Sequence, residues 1–242
     1  MKVLVVNDDG IESIGLKLLV EKLIPYAEEI MVVAPTYEQS AQSHSLTVRR
    51  GIKLTNHEPL LDGIKTYSID GSPADCVKFA YKHLKYDFDI VFSGVNNGLN
   101  LGDDIIYSGT VAGASEAAFM HRKGIAFSSP KNDFSGFVKY FDQIMDYLLK
   151  SKVYQNSLVL NINIPTVAKG INITHQGHHP YNTEFVLKDD NLFYSIGKYD
   201  EIENDENSDI FSFNAGYISI TPVTVNRTDL TSFKDNHELI KF

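Results

Sequence analysis

The stretch Val3-Leu4-Val5-Val6-Asn7-Asp8-Asp9-Gly10 constrains what this chain can fold into more than any other. Four aliphatic residues, three of them β-branched, run straight into a cluster of turn-forming types. A short unbroken apolar run of this kind predicts a strand buried on both faces, such as the central strand of a helix-covered parallel sheet. In such sheets ligands arrive beyond the carboxyl ends of the strands, and Asp8 and Asp9 fall there. Adjacent carboxylates repel each other and stay ionised together most readily beside a cation. Asn-Asp-Asp-Gly is also an ordinary turn sequence, so the pair gains meaning only from residues further along the chain.

Composition narrows the classes. A chain of 242 residues suffices for one α/β domain with a full core, or for a domain with a substantial appendage. A formal net charge of -9 argues against nucleic-acid polymers and anionic membranes as partners, because both favour a basic surface. An acidic protein that handles phosphate has to neutralise it locally, with a metal or with helix N-termini. Cys76 is the only cysteine, which excludes an internal disulfide and suits a reducing cytoplasm. No apolar run approaches a membrane span, and the N-terminal aliphatic run is too short for a signal peptide. The expected location is cytoplasmic.

Along the chain, apolar residues at helical spacing predict a helix from Ser13 to Ile24, ended by Pro25, and Ile30 to Ala34 predicts a second buried strand. This is a β-α-β unit, the building block of a parallel sheet. The hydroxyl- and amide-rich loop from Pro35 to Ser45 leaves that strand at the same end of the sheet as Asp8 and Asp9. Strands are expected over Leu46–Leu54 and Ile64–Ile69, then a helix with Ser72 as N-cap, Pro73 at its first position and Asp75 in its first turn. Cys76 on that helix reads as a small buried residue. A buried strand from Asp89 to Gly94 leads into Asn96-Asn97-Gly98, and Tyr107-Ser108-Gly109-Thr110 opens a small-residue helix, Val111 to Met120. Free N–H groups and hydroxyls at that helix start form a natural anion cradle. A strand from Gly124 to Ser128 and an amphipathic helix from Phe134 to Leu149 come next.

The last third changes character. Leu158 to Pro165 alternates as a strand. Ile171–His175, Glu184–Leu187 and Leu192–Ile196 read as short extended segments and hairpins, Glu201–Asp209 as a solvated acidic loop, and Gly216–Pro222 as a final strand. Ile218, Ile220, Phe193, Tyr194 and Phe211 are more apolar positions than one sheet is expected to cover, which points to a partner subunit.

The strand ends collect Asp8 and Asp9, Ser40 with Ser43, Asn96 and the Ser108–Thr110 helix start. Carboxylate, hydroxyl and amide oxygens, without cysteines or paired histidines at ligand spacing, describe a hard-cation site suited to Mg²⁺ or Mn²⁺. Beside an anion cradle, such a site suggests phosphate-ester hydrolysis. A receiver domain would need an aspartate where the middle strand ends Phe92-Ser93-Gly94. A haloacid-dehalogenase-type phosphatase would need its nucleophile at Asn7, and a dinucleotide-binding oxidoreductase would need three glycines after the first strand. The remaining rival is a metal-dependent nucleotide sensor without turnover.

Asn7-Asp8-Asp9-Gly10, Val33-Ala34-Pro35 with Gln39-Ser40-Ala41, Gly71-Ser72-Pro73-Ala74-Asp75-Cys76-Val77, Ser93-Gly94-Val95-Asn96 and Tyr107-Ser108-Gly109-Thr110-Val111 together resemble the SurE family, the stationary-phase survival nucleotidases. Asn161–Pro165 and Gly216–Pro222 extend the likeness almost end to end, and it is weakest from His178 to Asn191. The resemblance implies a Rossmann-like three-layer α/β/α core with a mostly parallel sheet and a C-terminal hairpin-rich extension used for oligomerisation. Residues 1–242 would form one domain, with the active site in 1–130 and the rest completing the core and supplying the extension. It further implies a 5′-nucleotidase acting on nucleoside monophosphates, with 3′-monophosphates and short polyphosphate as further substrates in some members. One divalent ion per subunit would sit on Asp8, Asp9, Ser40 and Asn96, and phosphate on Ser108, Gly109 and Thr110. Asp8 or Asp9 would accept the proton of the attacking water, and the protein would be a homodimer or homotetramer.

Overall fold

The computed structural model describes residues 1–200, 202 and 205–236. In chain order it begins with β1 (Lys2–Val6), α1 (Ile14–Leu23), β2 (Glu29–Pro35), β3 (Leu54–His57), β4 (Lys65–Ile69), α2 (Pro73–Lys82) and β5 (Ile90–Asn97). It continues with α3 (Asp104–Tyr107), α4 (Gly109–Ala118), β6 (Lys123–Ser129), α5 (Ser135–Lys150), α6 (Lys152–Asn156) and β7 (Val159–Asn163). The last elements are β8 (Ile171–Ile173), β9 (Tyr181–Asp189), β10 (Leu192–Tyr199), α7 (Asp209–Asn214), β11 (Ile218–Val223) and α8 (Leu230–Asn236).

Nine strands form one sheet in the order β3-β4-β2-β1-β5-β6-β7-β11-β8. The six from β4 to β7 in that order are mutually parallel, as their aliphatic runs and helical crossovers require. β3 and β11 pair antiparallel with β4 and β7, and β8 lies parallel to β11 at the far edge. Side-chain alternation along β1 feeds both layers. Val3 and Val5 join the cluster under α1 and α5, with Leu16, Leu19, Phe137 and Phe141, while Leu4 and Val6 join Cys76, Val77 and Ala80 of α2. Each face of the central strand is therefore buried, which is why the run shows no polar interruption.

Local chemistry sets the helix starts. Ser13 caps α1 by accepting from the Leu16 N–H at 3.1 Å. Ser72 and Asp75 form a reciprocal capping box on α2, with Pro73 in the first turn. The small residues of α4 let it lie almost on the sheet: a Cβ at Gly124 of β6 would meet the Ala114 carbonyl oxygen at 1.9 Å. The Cys76 thiol is fully buried, and burial pushes its pKa well up, which fits a packing residue.

Several expectations need correction. The strand expected over Leu46–Leu54 forms only from Leu54. The segment before it is turned toward α2 instead, with the Thr47 N–H donating to the Asp75 carboxylate and the Ser72 hydroxyl donating to the Ser45 carbonyl. Ile218 and Ile220 are not surplus apolar positions: β11 inserts between β7 and β8, and both are buried. Phe211 lies on α7 rather than on a strand. A hairpin over Glu184–Leu187 and Leu192–Ile196 does form, and it is longer than those segments, as β9–β10. Of the expected acidic loop, Glu201, Glu203 and Asn204 lie outside the described residues, and its last residue, Asp209, is fully buried at the start of α7. That carboxylate accepts the N–H groups of Gly102 at 2.9 Å, Gly177 at 2.8 Å and Ile210 at 2.8 Å. Burial raises its pKa although these three donors draw it down. An acidic run in sequence does not reveal that one member has found three backbone partners.

Asp209 thereby stitches the loop after β5 to the C-terminal third. Leaving a buried N–H unpaired costs roughly 1–3 kcal/mol, so Asp209→Ala should destabilise the fold by at least about 2 kcal/mol in urea unfolding. Asp209→Asn, which keeps one acceptor oxygen, should lose less. An unfolding midpoint for the alanine variant equal to that of the unmodified chain would contradict this account.

Candidate active site

The strand order reverses between β1 and β5, and the crevice beyond their carboxyl ends is the place such sheets offer to a ligand. Three segments meet there. The turn after β1 carries Asp8 and Asp9, the loop after β2 carries Ser40, and the end of β5 carries Asn96. The start of α4 closes the crevice from behind.

Asp8 is buried, while Asp9 is half-buried. The Asp8 carboxylate sits against the N-terminus of α4, where a Cβ on Gly109 would meet its Oδ2 at 2.9 Å, so only glycine permits this approach. The Thr110 hydroxyl donates to Asp8 Oδ1. Burial pushes the Asp8 pKa up to about 6; the Thr110 hydroxyl draws it down, and the neighbouring Asp9 pushes it up further. Asp9 is also held above the usual carboxylate range, first by burial and then by Glu38, against the opposing pull of the Asn97 N–H. That N–H donates to Asp9 Oδ2 at 3.1 Å, whereas Oδ1 accepts no hydrogen bond among the described residues.

The neighbouring segments are tied directly to this turn. The Gln39 N–H donates to the Asp8 carbonyl at 2.7 Å, which brings the adjoining Ser40 alongside. Ser40 is exposed, and its hydroxyl donates to Glu38 Oε1. Asn96 gives its Nδ2 to the Gly98 carbonyl at 2.9 Å, which fixes the amide plane and leaves Oδ1 without a partner among the described residues. Ser40 and Asn96 thus each adjoin a residue that is bonded to the Asp8–Asp9 turn, Gln39 and Asn97.

The three residues expected to cradle phosphate are in place at the helix start, but two of their hydroxyls have other duties. Ser108 is the N-cap, accepting from the Val111 N–H at 3.0 Å. Thr110 spends its hydroxyl proton on Asp8. The N-terminus of α4, read from sequence as an anion cradle, holds an anion of the protein's own.

The donor set bears on what could bind. The groups that shift Asp8 and Asp9 are acids, amides and a hydroxyl, and none is a cationic side chain. Among the described residues no three His, Cys, Asp or Glu converge on one point. Two carboxylates with neutral oxygens around them fit a hard divalent cation that keeps several waters, and fit zinc poorly.

Some supporting residues escape sequence reasoning. Asn100 is buried beneath the crevice, where its N–H donates to Asn163 Oδ1 at 2.8 Å and its carbonyl accepts from Asn161 at 2.7 Å and Asn163 at 3.0 Å. Glu116 is buried on α4 between His44 at 2.7 Å and Lys78 at 3.2 Å. A lone acid within a helix of small residues was a visible signal for Glu116. The asparagines on β7 gave none, since their partner lies about sixty residues away in sequence.

Comparison with known proteins places the chain in a family. The family model described as survival protein SurE matches residues 3–183. A protein named 5′-nucleotidase SurE from Clostridium botulinum (strain Alaska E43 / Type E3) is 36% identical over 256 residues, covering 100% of this chain and 99% of its own. Another of that name, from Thermoanaerobacter sp. (strain X514), is 39% identical over 240 residues, covering 95% of this chain and 94% of its own. The crystal structure of the SurE protein from Aquifex aeolicus matches with a TM-score of 0.81 at 32% identity, over 98% of each chain. With the family model matched over residues 3–183 and relatives alike over nearly the full length, the chain belongs to the SurE family.

Proposed function

We propose that this protein is a divalent-cation-dependent phosphatase that hydrolyses nucleoside 5′-monophosphates to nucleoside and phosphate. The observation that carries the proposal is the pair Asp8–Asp9, held at the end of β1 with both carboxyl pKa values raised and, among the described residues, no cationic side chain in the groups that shift them. The names of the relatives supply the substrate class.

Asp8, Asp9, Ser40 and Asn96 are the residues that would hold the cation, Mg²⁺ or Mn²⁺, one per subunit. Bound there, it supplies positive charge that acidifies a nearby water and offsets charge on the phosphoryl group. Thr110 and Gly109 orient Asp8, the first through its hydroxyl and the second by leaving room. Asp9 Oδ1, which is free of partners among the described residues, is the better placed of the two carboxylates to take the proton of the attacking water. As water adds to phosphorus, the ester P–O bond breaks and the departing nucleoside oxygen takes up a proton. The Gly109 N–H and the Ser108 hydroxyl proton remain to hold phosphate oxygens, so Thr110 contributes to phosphate handling through Asp8.

Phosphate release should cease with EDTA and return on adding Mg²⁺ or Mn²⁺. Turnover by a preparation that elemental analysis finds metal-free would rule the proposal out. Nucleotide binding without phosphate release across a panel of 5′- and 3′-monophosphates and short polyphosphate would favour the sensor reading.

One hydrogen bond to a charged group is worth roughly 1.5–3 kcal/mol, so Thr110→Val should lower kcat/KM by about ten- to a hundredfold. Asp9→Asn should cost more, because a charge is lost as well, and saturating metal should restore only part of the rate. Full recovery with metal would reduce Asp9 to a ligand; no loss at any metal concentration would place the site elsewhere.

The same proposal extends to assembly as a homodimer or homotetramer through the part of the chain after residue 130, in the cytoplasm. Support comes from β9–β10, which stands apart from the main sheet and exposes Phe185, Leu187, Phe193, Tyr194 and Ile196. A two-stranded hairpin is marginal by itself, and apolar side chains on both of its strands call for a cover. No helix among the described residues is long and apolar enough to cross a membrane. Phe185→Asp with Phe193→Asp should shift the mass measured by light scattering to a smaller species; a monomer mass for the unmodified protein at micromolar concentration would contradict assembly.

A further inference from the structure

Ser40 lies on a segment with no regular secondary structure to hold it. From Thr36 to Lys53 the chain forms neither helix nor strand. Next to Ser40, Ala41 has φ +55° and Ser43 φ +56°, left-handed backbone that residues with a Cβ adopt at a cost. Such a loop relaxes unless contacts outside it hold it. On one side of Ser40 the tether is the Gln39 N–H on the Asp8 carbonyl. On the other, the Ser43 N–H and hydroxyl donate to the carbonyls of Tyr107, at 2.9 Å, and Ile106, at 2.6 Å. Both of those acceptors sit on the exposed α3 turn.

The next residue provides a side-chain tether to α4, beside those that Ser45 and Thr47 make to α2. His44 Nε2 donates to Glu116 Oε2 at 2.7 Å, and Lys78 Nζ donates to Oε1 of the same carboxylate at 3.2 Å. The Glu116 side chain is only 3% exposed. A carboxylate in that position needs its partners, since losing one leaves a buried charge uncompensated. His44 is also packed edge-on against Phe119, with ring centroids 5.7 Å apart. Glu116 belongs to α4 and Phe119 is its C-cap, while the first turn of the same helix holds Asp8 through Thr110. One rigid helix thus references both the Asp8 carboxylate and the loop that carries Ser40.

We propose that His44 is a positioning residue for cation binding: its bridge to Glu116, braced by Lys78, keeps the Ser40 loop docked beside the Asp8–Asp9 turn. This rests on the reading of Asp8, Asp9, Ser40 and Asn96 as the cation's ligands. A residue that only orients a ligand typically changes metal affinity by about ten- to a hundredfold when removed.

The test is Mn²⁺ binding to the full chain by calorimetric titration, with no nucleotide present. Asp8→Asn should abolish binding, and Ser40→Ala should weaken it. His44→Ala should weaken it by about ten- to a hundredfold, and His44→Gln, whose amide puts a donor near the place of Nε2, should restore most of the loss. If His44 acts through Ser40, the double variant should bind no more weakly than the weaker single one, because the two changes share one route. Glu116→Gln, which keeps the shape and removes the charge, should move affinity in the same direction and serves if His44→Ala does not fold. Unchanged Mn²⁺ affinity in His44→Ala, even with a lowered Tm, would overturn the proposal by making the bridge a fold contact alone. So would losses that multiply in the double variant. Undiminished affinity in Asp8→Asn or Ser40→Ala would overturn the ligand reading itself, and the positioning role with it.

Discussion

The contact between Asp8 and the first turn of α4 is the interaction on which the rest of the structure depends. A carboxylate is brought out of water by a central strand and set against a helix start. There Gly109 makes room and Thr110 supplies a hydrogen bond. The surrounding fold fixes where the two meet. β1 is held between β2 and β5, and α4 is pressed onto β6 by residues so small that backbone touches backbone. The helix dipole favours the charge, while burial opposes it strongly enough to lift the pKa to about 6. A group balanced in this way responds to any cation that arrives beside it.

Around this contact the protein uses two kinds of support. Buried amides at Asn100, Asn161 and Asn163 hold the loop after β5 by neutral hydrogen bonds from β7. The loop after β2 is held through His44, which donates to the buried Glu116 carboxylate that Lys78 also pairs. The first is short-ranged and indifferent to salt. The second works where one partner is half in solvent, and reaches across the space between two helices.

Much of this was legible in the sequence, for reasons that are local. An unbroken aliphatic run ending in Asn-Asp-Asp-Gly announces a central strand and a ligand crevice, because burial on both faces leaves no other pattern. Ser72-Pro73-Ala74-Asp75 declares a helix start through its own capping box. What escaped depends on partners distant in the chain. Leu46 to Lys53 has the residues of a strand, yet its Thr47 N–H is drawn to Asp75, and the Ser45 carbonyl just before it to Ser72. Asp209 reads as one more solvated acid until Gly102 and Gly177 are seen to donate to it. Ile218 and Ile220 suggest an uncovered surface only while their neighbours on β7 and β8 are unknown. The Thr110 hydroxyl, free for phosphate on the basis of sequence, is already engaged by a residue more than a hundred positions earlier.

The nine-stranded sheet ends in a four-residue strand on one side and a three-residue strand on the other. Edges so short give a neighbouring chain little backbone to pair with, so the sheet terminates itself. The long strands with exposed apolar side chains are all in β9–β10, outside that sheet. The apolar surface carried on long strands is thereby confined to one hairpin outside the sheet that holds the crevice. Architecturally the chain is modular: a nine-residue strand and its eight-residue partner form a sheet of their own, while the crevice is built wholly on the nine-stranded one.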